Sequence, residues 1–251
     1  MTDVVRAVVT GAASGLGLAT VTELVARGAR VVGIDLAGDA RSAAVEATGA
    51  RFLPCDVTSQ DAWDRAVSDI ESSLGGIDLL ALNAGVMTRS PSEAIDDDVL
   101  TRAGSAGYRR VFAVNVDGVI FGLAALRPLL APGAGVVVTA STAGISGLAI
   151  DPFYAATKHA VVGFVRSVAP ILAASGLRIN ALCPGGIDTA IVPDPLRAVV
   201  PAHAFRPPVE VARALLAVAA RSDVGGTWLL SEDDDLITRY EVPLVPSRRP
   251  T

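Results

Sequence analysis

With 251 residues, 51% of them hydrophobic, the chain carries enough apolar material for one α/β core of ordinary size. Its net charge of −5 opposes binding to a phosphate backbone, which needs clustered positive charge, so nucleic acid is not an expected partner. Two cysteines, Cys55 and Cys183, are too few for a disulfide framework or a zinc site and follow apolar runs, as reduced core residues do.

The chain opens on MTDVVRAVVTG, which enters a strand and a glycine turn too soon for a secretory signal and points to a cytoplasmic protein. Apolar, β-branched runs at Arg6–Thr10, Arg30–Asp35, Arg51–Asp56, Leu79–Asn83, Gly135–Ala140 and Arg178–Cys183 predict buried strands. Helix-length amphipathic segments alternate with them at Leu16–Arg27, Arg41–Ala47, Gln60–Leu74, about Val99–Arg127 and about Tyr154–Ser175, with a later one near Val209–Arg221. Strands covered on both faces read as continuous apolar runs, and crossover helices supply the cover. The pattern therefore predicts an α/β fold, a doubly wound Rossmann-like parallel sheet flanked by helices, in a single domain over residues 1–251. No membrane span is expected, because the most apolar stretch, Val111 to Ala131, is interrupted by Asn115, Asp117 and Arg127. Two segments break the rhythm, about 86–110 and 185–208, the second with prolines at 193, 195, 201, 207 and 208. Both follow strand ends where open sheets bind ligands, so both are expected to wall a substrate cleft.

Thr10-Gly11-Ala12-Ala13-Ser14-Gly15-Leu16-Gly17 joins the first strand to the first helix. Glycines there permit a tight turn and close approach of a pyrophosphate to backbone N–H groups at a helix start. Eighteen residues beyond Gly17, Asp35 closes the second strand, where its carboxylate can accept hydrogen bonds from ribose hydroxyls. That charge repels a 2′-phosphate, and neither Ser14 nor Leu36 supplies a neighbouring arginine, so NAD is the expected cofactor. Asp56-Val57 and Asn83-Ala84-Gly85 end the next two strands and extend the same edge toward an adenine and its ribose.

At the other end, Tyr154 and Lys158 stand four apart on one helical face, and Lys158 is the only lysine in the chain. A phenol near pKa 10 becomes a workable acid/base when positive charge stabilises its phenolate. Ser141, just past the fifth strand, can polarise the same substrate oxygen. Asn115, a poor helix former inside VFAVNVDGV, needs a buried partner and can hold a water in a relay to Lys158. No metal is expected.

Seven motifs in this order, TGAASGLG, Asp35, Asp56-Val57, Asn83-Ala84-Gly85, Asn115-Val116-Asp117-Gly118, Ser141 with Tyr154-x-x-x-Lys158, and Pro184-Gly185-Gly186-Ile187-Asp188-Thr189, resemble the short-chain dehydrogenase/reductase family. The resemblance covers roughly residues 4 to 230 and implies an NAD-dependent interconversion of a secondary alcohol and a ketone. It implies Tyr154 as proton donor, Ser141 as orienter, Lys158 on the nicotinamide ribose and Asn115 in the relay. It further implies cofactor contacts from Pro184, Gly185, Ile187 and Thr189, and a homodimer or homotetramer. Leu82 replaces a common asparagine. Wording after Tyr154 is similar to the hydroxyprostaglandin dehydrogenase subgroup, whose glutamine three residues before the tyrosine is Asp151 here. Ile145, Leu148, Ile150, Phe153, Ile191, Val192, Leu196 and Phe205 suggest a mainly apolar small alcohol or ketone. The competing reading is a catalytically silent NAD-sensing or scaffold protein of the same fold.

Overall fold

The computed structural model describes residues 4–90, 92–93, 98–199, 204–230 and 237–241. Six strands arise from the apolar runs: β1 (Arg6–Thr10), β2 (Arg30–Asp35), β3 (Arg51–Pro54), β4 (Ile77–Leu82), β5 (Leu130–Thr139) and β6 (Arg178–Cys183). Two-residue strands β7 (Gly186–Ile187) and β8 (Phe205–Arg206) pair with each other in parallel. β9 (Thr227–Leu230) and β10 (Ile237–Arg239) complete the main sheet, whose order is β10-β9-β6-β5-β4-β1-β2-β3. Only β10 runs antiparallel. The expected doubly wound sheet is present, with its order reversing between β1 and β4.

Every core strand feeds two apolar layers. In β5, Val136 and Val138 point to one side and Val137 to the other, which is why the run is apolar without alternation. The first layer is supplied by α3 (Gln60–Leu74), α5 (Gly118–Leu126) and α6 (Pro152–Ala173), the second by α1 (Gly15–Ala26), α2 (Asp39–Glu46) and α8 (Pro208–Ala220). Ser59 caps α3 by accepting from the Ala62 N–H at 3.2 Å, and Gly75 ends it at φ 71°. A Cβ on Gly122 would lie 2.9 Å from the Trp63 ring, so glycine lets α5 lie flat against α3.

The single helix expected over Val99–Arg127 is divided. A 3₁₀ turn at Val99–Arg102 is followed by Gly104 at φ 75°, and Ser105 caps a new helix, α4 (Ala106–Phe112). A π-type turn at Ala113–Asp117 then leads into α5. The helical run Ala106–Leu129 is, by length and composition, long and apolar enough to cross a membrane, with Asn115, Asp117 and Arg127 interrupting it as read from the sequence. Here it lies along the sheet with Val111, Val119, Leu123 and Leu126 buried. α6 starts at Pro152, two residues before the expected Tyr154, because Asp151 caps it. Within the 185–208 segment, α7 spans Asp194–Val199.

Candidate active site

The strand ends that meet at the β1/β4 reversal open a cleft of about 1010 Å³. Its floor is the glycine turn. Gly11 and Gly15 adopt φ of 66° and 50°, and a Cβ on Gly17 would stand 1.9 Å from the Gly11 carbonyl oxygen. α1 begins at this turn with no acidic residue in its first turn and no side-chain cap from Ser14. Its first N–H groups and the positive end of its dipole therefore suit a pyrophosphate. Thr189 closes over the turn, its Cγ2 3.0 Å from where a Gly15 Cβ would be.

Asp35 is preset at the end of β2. One carboxylate oxygen accepts from Ala13 N at 2.9 Å, the other from Leu36 N at 2.8 Å. The sequence reading left this carboxylate without a cation beside it, and the structure corrects that. Arg41, from the first turn of α2, approaches Asp35 Oδ1 at 3.4 Å and lines the same cleft. The contact arises because α2 starts at Asp39 and carries position 41 back over the strand end. Asp56 accepts from Thr58 N at 2.9 Å and Thr58 Oγ1 at 2.8 Å, an Asx-type turn that keeps Val57 against the cleft. Asn83 is held by Thr10 and Thr139: its amide donates to Thr10 O at 3.1 Å and its carbonyl accepts from Thr139 Oγ1 at 3.0 Å. Leu82, in place of a common asparagine, is simply core at 1% exposure.

At the far end, Ser141, Tyr154 and Lys158 face one volume. Lys158 Nζ donates to Thr139 O at 2.8 Å and lies 5.5 Å from the Tyr154 ring centre. Burial pushes Lys158 down to about 8, with Cys183 pulling weakly back. Burial also pushes Tyr154 up to about 12; a hydrogen bond with Ser141 opposes this, while Asp151 and Cys183 add to it. Asn115 stands behind the cleft wall, fully buried in the π-type turn. Its Oδ1 accepts from Val86 N at 2.8 Å, and its amide donates to Val86 O at 2.9 Å and Thr157 Oγ1 at 3.0 Å. Both amide hydrogens are committed, so only Oδ1 retains capacity toward a water-held relay.

Every other predicted site residue lines the cleft: Gly11, Ser14, Gly15, Leu16, Gly17, Asp35, Leu36, Asp56, Val57, Asn83, Ala84, Gly85, Pro184, Gly185, Ile187 and Thr189 join the Ser-Tyr-Lys set. Of the apolar candidates, Leu148, Ile191, Val192 and Phe205 line it too. Ile145 instead packs on the core, and Phe153 meets Tyr108 edge-on at 5.0 Å. Leu196 has its side chain outside the described residues. Sequence reasoning missed Arg41, Arg110 and Met87 on the wall. It also missed the threonines at 10, 139 and 157, which sit at strand or helix positions where Thr signals nothing special.

A cleft at the switch point of a doubly wound sheet, lined by a glycine turn and, at one end, by a serine, a tyrosine and a lysine, places the chain in the Rossmann-like class. Residues 5–197 match the short chain dehydrogenase family. The chain is 38% identical over 239 residues to the cis-4-hydroxycyclohexanecarboxylate dehydrogenase of Sinomonas cyclohexanicum, covering 89% of this chain and 93% of that one. It is 33% identical over 190 residues to the secoisolariciresinol dehydrogenase of Forsythia intermedia, covering 74% of this chain and 66% of that protein. The crystal structure of levodione reductase superposes with a TM-score of 0.79 at 26% identity, covering 91% of this chain and 96% of that one. The chain belongs to the short-chain dehydrogenase/reductase family.

Proposed function

We propose that the protein is an NAD-dependent dehydrogenase that interconverts a small, mainly apolar secondary alcohol and its ketone, with Tyr154 exchanging the proton. The observation that carries this reading is the convergence of Ser141, Tyr154 and Lys158 on the cleft that Asp35 and the glycine turn also line. A dinucleotide held by the glycine turn, Asp35 and Lys158 would supply the two-electron acceptor for the alcohol.

The chain's own residues do the rest. Ser141 orients the substrate oxygen, its hydroxyl held by the Ala143 N–H at 3.1 Å. Tyr154 takes the alcohol proton in its phenolate form, or in its phenol form gives its proton to the ketone oxygen. Lys158, fixed by Thr139, holds the ribose side of the site and adds positive charge when protonated. Leu148, Ile191, Val192 and Phe205 exclude water and favour an apolar substrate body. Asp35 favours a free 2′-hydroxyl over a phosphate.

The test is a panel of secondary alcohols and ketones read by nicotinamide absorbance, with wild type and Tyr154→Phe side by side. The panel includes cis-4-hydroxycyclohexanecarboxylate because a relative is named for it. Tyr154→Phe should lose about 10²–10⁴-fold in turnover and keep dinucleotide binding. Near-normal turnover in the variant would leave the family fold standing and remove Tyr154 as proton donor.

A further inference from the structure

Val86 and Met87 wall the cleft at its reacting end, Thr88 follows behind them, and each of the three is tied to a different helical position. Val86 is bracketed by Asn115 through both of its backbone groups. Met87 O accepts from Arg110 at 3.4 Å, and Met87 itself lines the cleft. Thr88 is 3% exposed, and α4 passes so close to it that a Cβ on Gly107 would stand 2.4 Å from Thr88 O.

Among the described residues, Thr88 donates through both its N–H and its hydroxyl to one side chain, Asp151. The carboxylate is 1% exposed, accepting from Thr88 N at 2.9 Å and Thr88 Oγ1 at 2.7 Å. It also accepts from Tyr154 N at 3.0 Å, which makes it the cap of α6. A serine or asparagine would suffice for the cap alone. Two carboxylate oxygens are needed because three donors, on two distant chain segments, converge on this point.

We propose that Asp151 is a positioning residue, which locks segment 86–88 to the first turn of the helix that carries Tyr154 and so sets the cleft wall against the reacting oxygen. This rests on the dehydrogenase reading for its kinetic consequence, while its structural consequence does not depend on that reading. Ser141, Lys158 and Cys183 also surround Tyr154 and are left untouched by the test.

Three variants of the full chain separate the possibilities. Thr88→Val removes one donor with its shape kept. Asp151→Ser keeps an oxygen for the Tyr154 cap and drops the Thr88 link. Ser59→Ala removes the remote cap of α3, a loss of similar kind away from the cleft. Amide hydrogen exchange is measured on all three, together with kcat and KM for the best alcohol and the Kd for NAD. Faster exchange at residues 86–88 is expected in the first two variants only. The same two should lose about 10- to 100-fold in kcat/KM for the alcohol, with the NAD Kd changed less than about twofold. Asp151→Asn, which keeps two of the three bonds, should recover part of the loss. Unchanged exchange at 86–88 overturns the lock. Faster exchange with unchanged kcat/KM overturns its positioning role. A wild-type chain that turns over no panel substrate overturns the dehydrogenase reading, and the exchange data then decide the lock by themselves.

Discussion

The same substitution, glycine to alanine, should have opposite consequences at two helical positions of this protein. Gly17 lies in α1 with ordinary helical backbone, so a side chain there is opposed by space alone. Its Cβ would be 1.9 Å from Gly11 O, 2.6 Å from Gly11 C and 2.9 Å from Asn83 Nδ2. A comfortable C···O contact is about 3.3 Å, so helix and turn must separate by roughly 1.4 Å. Overpacking typically costs about 1–3 kcal/mol, and a clash of backbone with side chain cannot be relieved by a rotamer change, which puts Gly17→Ala near about 3 kcal/mol. For a chain of this size that is a fall in Tm of about 6–12 °C. On the proposed function the turn it displaces holds the dinucleotide's phosphates, so NAD affinity should drop by about 100-fold or more. Gly163 is exposed in the interior of α6, and a Cβ there meets nothing within 4 Å. Gly163→Ala should gain about 0.5–1 kcal/mol from helix propensity, or about 1–4 °C, with NAD affinity unchanged. Thermal unfolding by circular dichroism and NAD titration by calorimetry check both. A Gly17→Ala protein that melts within about 2 °C of wild type and binds NAD normally would refute the argument from contact distance.

Two further outcomes follow from charges in the cleft. Because Arg41 stands beside Asp35, Asp35→Ala should leave a cation facing the ribose and move the NADP-to-NAD ratio of kcat/KM upward by about 10-fold or more, and Arg41→Ala should move it down. Equal ratios in all three proteins would put the adenosine ribose elsewhere. Lys158 titrates near 8 when folded against 10.5 ordinarily, so between those values the unfolded chain binds a proton that the folded chain has released. Stability attributable to Lys158 therefore rises with pH across that window, by an amount of order 1–3 kcal/mol. Urea midpoints of wild type minus Lys158→Met, taken at pH 7.5, 9 and 10.5, should climb; a flat difference would mean the ammonium is solvated.

What could be read from the chain was whatever has a local physical signature. The inner strands β1, β2, β4, β5 and β6 are legible because two-sided burial demands long runs of Val, Ile, Leu and Ala, and Arg6–Thr10, Arg30–Asp35 and Arg178–Cys183 match in full. The glycine turn, Asp35 and the Tyr-Lys spacing are legible because their chemistry fixes residue type and separation. β9 and β10 were not, because Thr227–Leu230 and Ile237–Arg239 are too short to announce strands and are fixed only by pairing with each other and, through β9, with β6. Gly104 and Ser105 did carry a helix-break signal inside 99–127, which the apolar periodicity beyond them outweighed. Asp151 was visible only as a departure from a subgroup's glutamine. Its role depends on Thr88, 63 residues away, and no pattern along one sequence encodes that pairing. Arg41 escaped for a related reason: a search of positions adjacent to Asp35 does not reach the first turn of the next helix.

The threonines explain how a sheet built from apolar runs can hold a polar site at its edge. Thr10 and Thr139 end β1 and β5, where a β-branched residue satisfies the strand and its hydroxyl is the last polar group before the cleft. Thr10 Oγ1 accepts from Asn83 N at 2.9 Å and Ala84 N at 3.0 Å, tying β1 to the end of β4. Asn83 then reaches Thr139, and the Thr139 carbonyl receives Lys158. Thr157, next to Lys158, receives Asn115, which in turn brackets Val86. The lysine and the asparagine are thus each anchored to a group that parallel strand order brings to the same edge. Parallel strands all finish on one side, so the hydrogen-bonding capacity left at their ends accumulates there instead of alternating between two edges. A buried lysine costs stability, and that cost is tolerable here because the ammonium donates to a carbonyl whose own strand is locked on both flanks by β4 and β6. Loosening that carbonyl would raise the cost without touching the lysine, which is why the sheet edge belongs to the site as much as the side chains do.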